Sequence, residues 1–147
     1  MLRVVAADAT TRLTSILGGV PEVAAAYLFG SRVRDAQRHT SDVDVAIVFV
    51  EGVDDPTRFR LRCVLSERLA AAARVSSADV VDLEKASPLL AHEVLRDGRL
   101  LVSRNEARRV RVAARQTMRY IDSRPMRRVL DEATFCRLRE GRLGRIA

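Results

Sequence analysis

The sequence is poor in cysteine, in lysine and in long apolar runs. Of its 147 residues, only Cys63 and Cys136 are cysteines and only Lys85 is a lysine. Two such cysteines match no metal-ligand spacing and cannot build a disulfide framework, so both are expected as free, reduced thiols. No stretch approaches the roughly 18 apolar residues of a membrane span. The N-terminal segment meets Asp8 too early for a secretory core. A cytoplasmic protein without membrane contact is therefore expected. Internal repeats and low-complexity linkers are also missing. What is present, 48% apolar and 31% charged residues, suits one compact domain with a modest core.

The net charge of +7 is unevenly placed. Residues 1–103 carry 13 basic and 14 acidic side chains, whereas residues 104–147 carry 13 and 5. The whole positive excess thus lies in the last 44 residues. Near-exclusive use of arginine often follows genome composition and says little about binding. Nucleic acid is the less favoured partner for this basic end; an acidic protein surface is the favoured one.

Periodicity predicts a helix over 4–17, through Leu13, Ile16 and Leu17, stopped by Gly18-Gly19 and Pro21. Val23 to Phe29 is apolar throughout, as a central strand should be. A short helix over 31–37, a polar loop over 38–41 and a strand over 42–50 follow. Asp54-Asp55 before Pro56 reads as a cap for a helix over 57–74, whose apolar face runs through Phe59, Leu61, Val64, Leu65, Leu69 and Ala72. Residues 79–84 form a third strand. Ser87 and Pro88 open a helix ending near Arg96, and Leu100-Leu101-Val102 is extended. Beyond Arg104, Ala107, Val110, Ala114, Met118 and Ile121 share one helix face. Pro125 interrupts it, and residues 126–139 form a last amphipathic helix. The order gives a small mixed α+β domain over 1–103, with a basic helical extension of the same domain over 104–147.

The chemistry concentrates in residues 27–49. An apolar strand ends in Gly30-Ser31, ten residues follow the serine, and Asp42-Val43-Asp44 opens the next strand. In a strand, residues i and i+2 face one side, so Asp42 and Asp44 point together. Paired carboxylates suit Mg2+, which takes hard oxygen ligands from protein and phosphate. Two such ions serve attack on an α-phosphate by clamping the entering and leaving oxygens. Asp82 is the expected third carboxylate, because Val81 and Leu83 are expected to face the core and Asp82 away from it. Gly30 lets a phosphate approach the backbone. Ser31 and the amides after it can hold phosphate oxygens, with charge added by Arg32 or Arg34.

Taken singly, Gly-Ser after a strand is usually only a turn, and Asp-x-Asp is usually solvated. Their conjunction, with apolar flanks and a later Val-Val-Asp-Leu strand, is what points to nucleotidyl transfer. His39 is read as a polar loop residue and His92 as a structural or exposed one. Glu84 shares the face of Asp82 as an auxiliary candidate, with a surface role preferred, and Tyr120 is read as a helix-surface tyrosine.

At Gly30-Ser31-x10-Asp42-x-Asp44 the sequence resembles the polymerase-β-type nucleotidyltransferases, and more narrowly the minimal nucleotidyltransferase (MNT) antitoxins of prokaryotes. Tyr27-Leu28-Phe29, Val80-Val81-Asp82-Leu83, the stretch Pro88 to Leu101, and the arginine-rich helix into Arg124-Pro125 fit that pattern. The resemblance covers most of residues 20–130. It implies a mixed sheet with helices on one face. It also implies transfer of AMP from ATP, with Mg2+, to a tyrosine of a HEPN-type ribonuclease toxin. Asp42, Asp44 and Asp82 would then be metal ligands, with Asp82 also a candidate base, while Gly30, Ser31 and Arg32 would hold the triphosphate. The short C-terminal part suggests an acceptor that supplies its own half of the site. Two alternatives stay open: an antitoxin that acts by occlusion with a vestigial site, and a nucleotidyltransferase of a small molecule or RNA.

Overall fold

A computed structural model of the chain describes residues 2–34 and 42–139. Ten elements follow in the order α1 (Leu2–Gly18), β1 (Val23–Phe29), α2 (Ser31–Arg34), β2 (Val43–Phe49), α3 (Asp55–Ala73), β3 (Ala78–Asp82), α4 (Pro88–Asp97), β4 (Arg99–Ser103), α5 (Glu106–Asp122) and α6 (Arg124–Arg139). Every element expected from the sequence is present. The expected end of the short helix and the polar loop over 38–41, with His39, lie outside the described residues.

The four strands form one sheet in the order β3-β2-β1-β4. β1 runs antiparallel to β2 and to β4, and β2 runs parallel to β3. β1 and β2 are apolar because they are central and packed on both faces. On one face Val43, Val45, Ile47 and Phe49 pack with Leu13 and Leu17 of α1 and Leu65 and Leu69 of α3. On the other face Tyr27, Ala46 and Val48 pack with Ala91 and Val94 of α4 and Val112 of α5. Helices therefore cover both faces, and the expectation that they gather on one is corrected. The alternation of β2 requires it, since both its odd and its even residues are apolar and need cover.

Local signals set the boundaries. Asp54 caps α3 by accepting from the Thr57 amide at 2.8 Å, and Ser87 caps α4 by accepting from the Leu90 amide at 3.3 Å. The expected apolar face of α3 is too broad: Leu65 and Leu69 are buried, but Phe59 and Val64 are exposed.

α5 departs most from its pattern. The stripe Ala107, Val110, Ala114, Met118 and Ile121 is exposed along its whole length. The buried face is Arg108, Val112 and Gln116 instead. Arg108 donates to the Phe49 carbonyl at 3.1 Å and to Glu84 at 2.7 Å. Gln116 Nε2 donates to the carbonyls of Leu83 at 2.6 Å and Glu84 at 2.8 Å. A polar clamp around one valine thus seats this helix. α6 has no buried residue. Cys63 and Cys136 are free and exposed. Among the described residues no helix is long and apolar enough to cross a membrane.

Candidate active site

The Gly-Ser turn and the Asp-x-Asp pair are brought together by strand register. Phe29, the last residue of β1, pairs with Asp44, the second residue of β2. Gly30 follows at φ +79°, a conformation that glycine adopts at little cost. A Cβ built on Gly30 would lie well inside van der Waals contact with Asp44 Oδ2 and 3.1 Å from its Cγ. The carboxylate of Asp44 therefore lies directly over the glycine. Ser31 opens α2 immediately beyond.

Asp44 is half-buried and Asp42, one step before the strand, is exposed. Asp44 follows the parity of Ala46 and Val48 and so projects from the sheet face covered by α4 and α5. β3 runs parallel to β2, and its register places Asp79 directly beside Asp44. The Asp44 carboxyl is raised above its ordinary value, first by burial and then by the charges of Asp79 and Asp42. Three carboxylates thus share one corner of the sheet, and the charges of Asp79 and Asp42 oppose ionisation of Asp44.

Asp82 is not part of that corner. It pairs with Ile47, three residues farther along β3 and on the opposite sheet face. Three residues of strand are about 10 Å. Its side chain is 2% exposed and accepts from Arg58 Nη1 at 2.9 Å, and its Oδ1 accepts from the Glu84 amide at 3.0 Å. The structure thus places Asp82, the expected third carboxylate, apart from Asp42 and Asp44 and in a buried ion pair with Arg58. Two sequence signals favoured Asp79 instead. A carboxylate meant for Asp44 must sit at the same end of a parallel strand, which is its start. Ala78, Val80 and Asp82 also share a parity that buries all three.

Glu84 is likewise engaged elsewhere. It accepts from Arg58 Nη1 at 3.0 Å, Arg108 Nη2 at 2.7 Å and Arg115 Nη1 at 2.9 Å. Burial alone would raise its carboxyl, but the hydrogen bond from Arg58 and the charges of Arg108, Arg58 and Arg115 outweigh it and hold the group below its ordinary value. Arg32 is partly buried, and burial lowers its guanidinium. His92 stacks on Tyr120 with ring centroids 3.7 Å apart, which makes both residues structural.

Solved structures share this fold. A toxin–antitoxin crystal structure with AMP-PNP contains a chain 25% identical, covering 86% of this chain and 98% of that one at a TM-score of 0.69. A structure of the tri-AMPylated Shewanella oneidensis HEPN toxin in complex with MNT antitoxin contains a chain 23% identical, covering 92% and 99% at a TM-score of 0.63, a likeness of fold alone. Among curated proteins, the protein adenylyltransferase MntA of Shewanella oneidensis is 34% identical over 82 residues, which is 56% of this chain and 55% of that protein. The match thus reaches little more than half of that relative's length. Residues 11–107 match the family described as polymerase beta, nucleotidyltransferase, a stretch that holds all four strands, the Gly-Ser turn and the three clustered aspartates. The chain belongs to the polymerase-β nucleotidyltransferase family.

Proposed function

We propose that the chain is an adenylyltransferase antitoxin. It transfers AMP from ATP to a tyrosine of a HEPN-type ribonuclease toxin, using two Mg2+, and so inactivates it. The observation that carries the chemistry is the cluster of Asp42, Asp44 and Asp79, with Asp44 lying over Gly30 of the Gly-Ser turn. Substrate and partner follow the relatives: MntA is named a protein adenylyltransferase, and AMP-PNP and a tri-AMPylated HEPN toxin accompany chains of this fold.

The donor set fits Mg2+. It is all hard oxygen, and it repels itself without a cation. Among the described residues no group of three His, Cys, Asp or Glu side chains is placed to hold a metal ion by itself, so phosphate oxygens of the nucleotide would have to complete the coordination. When bound, the ions neutralise the triphosphate and stabilise the entering and leaving oxygens. Asp42, Asp44 and Asp79 would hold them. Gly30 lets the triphosphate lie against the backbone, and Ser31 and Arg32 donate to its oxygens. The tyrosine hydroxyl oxygen bonds to the α-phosphorus, the bond to pyrophosphate breaks, and Asp79 takes the hydroxyl proton in the role first given to Asp82.

The test is ATP labelled at the α-phosphate, incubated with Mg2+, this protein and its HEPN-type toxin. Label is expected on a toxin tyrosine. EDTA should abolish transfer, and Asp42→Asn or Asp44→Asn should each lower it by at least about 100-fold. Full labelling by both variants would sink the assignment. Toxin neutralisation by both variants without labelling would favour occlusion.

A further inference from the structure

We propose that the outer surface of α5 and α6 is the docking site for a helical protein whose apolar side chains are rimmed by carboxylates. The proposal rests on the antitoxin reading above and identifies that docking partner with the HEPN-type toxin. Two observations carry it. The first is the inverted burial of α5. Val110, Met118 and Ile121 are 50%, 58% and 53% exposed, although they lie with Ala107 and Ala114 on one helix face. The second is α6, which has no buried residue yet exposes Met126, Val129 and Leu130. A helix that buries nothing gains little from its own chain. Contiguous exposed apolar surface of this kind marks an interaction site.

The surface is also held in shape. The Tyr120 ring lies between His92 and the guanidinium of Arg127, which sits 3.8 Å from its centroid. Arg127 also donates to the Tyr120 carbonyl at 3.0 Å. One aromatic residue therefore fixes α6 against the end of α5, and a partner meets a preset angle. Ile121, Arg124, Pro125, Arg128, Val129 and Glu132 line a cleft at the junction.

Charge selects the occupant. Residues 106–139 hold ten arginines and four acidic residues. Among the described residues Arg124, Arg128, Arg137 and Arg139 have no carboxylate partner. A second copy would set this basic rim against itself, because a two-fold interface pairs each patch with its own image. Nucleic acid would leave the central apolar stripe unmatched. A membrane would favour large apolar side chains along the whole stripe, whereas Ala107 and Ala114 alternate with Val110 and Met118. Small and large residues in alternation form holes and knobs for another helix. α5 also covers the sheet face from which Asp44 projects, so a protein seated there lies on the side of the site.

The experiment measures binding of the purified HEPN-type toxin to the full chain, with Asp44→Asn as background so that no transfer occurs. Met118→Glu and Val129→Glu change exposed positions, and unchanged melting curves confirm their fold. Each should weaken binding by about 100-fold or more, while Met118→Leu stays within about threefold. Arg124→Glu with Arg128→Glu should slow association and flatten its salt dependence. If the unaltered face fails to bind toxin, the antitoxin reading falls and the docking proposal with it. If both glutamate variants bind like their parent, the docking proposal alone falls. Self-association abolished by Met118→Glu, or binding of duplex nucleic acid or anionic vesicles lost in the same variants, would assign the face to that occupant and overturn the proposal.

Discussion

Replacing Gly30 with alanine should uncouple stability from activity in a measurable way. Two costs add. At φ +79° an alanine sits in the left-handed region, worth roughly 1–2 kcal/mol. Its Cβ also collides with Asp44 Oδ2 and lies 3.1 Å from Cγ. The carboxylate must swing aside into a poorer rotamer, which costs roughly 0.5–1.5 kcal/mol. The sum is about 1.5–3.5 kcal/mol, or a fall in Tm of about 5–10 °C for a chain of this size. Activity should suffer more per ångström, since a shift of about 1 Å in a catalytic ligand costs about 100-fold. A double-mutant cycle separates the two terms. In an Asp44→Ala background the collision with Oδ2 is gone and only the backbone cost remains. Urea melts of the four proteins should therefore show a coupling of about 0.5–1.5 kcal/mol. Additive effects, together with transfer by Gly30→Ala within about twofold of the parent, would refute the placement of Asp44 over the turn.

The remaining predictions concern the carboxylates. Asp79→Asn should lower AMP transfer by at least about 100-fold without loss of stability, because it removes a charge that opposes Asp44. Asp82→Ala should do the reverse. It leaves Arg58 with Glu84 as its one carboxylate partner among the described residues and should cost about 3 kcal/mol in a urea melt, with transfer per folded molecule retained. The Glu84 carboxyl is depressed below its ordinary 4.5. Its contribution to stability is thus present above pH about 4.5 and lost as pH falls through the folded value. A pH series of melts should show that acid-side loss diminished in Glu84→Gln. Asp44 has the opposite sign, since its raised carboxyl makes the ionised form costly without metal. Asp44→Asn should therefore melt no lower than its parent in EDTA and lose the gain in Tm that Mg2+ gives the parent.

Where apolar burial shapes an element, the sequence was readable. β1 and β2 are unbroken apolar runs because both faces are covered, and caps such as Asp54 and Ser87 act through neighbours three residues away. Gly30 and Asp44 could be linked by motif, though their contact depends on the register Phe29↔Asp44, which the spacing alone does not state. The failures share a cause, which is polar burial. Asp82 looks like a surface carboxylate and is buried because Arg58 reaches it from another helix. α5 looks as if it should seat its apolar stripe, and is seated by Arg108 and Gln116 through partners at Phe49, Leu83 and Glu84. Such pairings run across dozens of residues and leave no local period to read.

The anion at Glu84 joins Arg58 of α3 to Arg108 and Arg115 of α5. Three cations share one side chain: its loss would leave Arg58 with Asp82 but would take from Arg108 and Arg115 the carboxylate at 2.7 Å and 2.9 Å, whereas the loss of any single arginine leaves Glu84 with two. Inheritance at this junction should accordingly be lopsided. Related chains can drift at one arginine at a time, but a lineage that abandons the glutamate should also replace Arg108 and Arg115 or find another acid within reach, while Arg58 keeps Asp82.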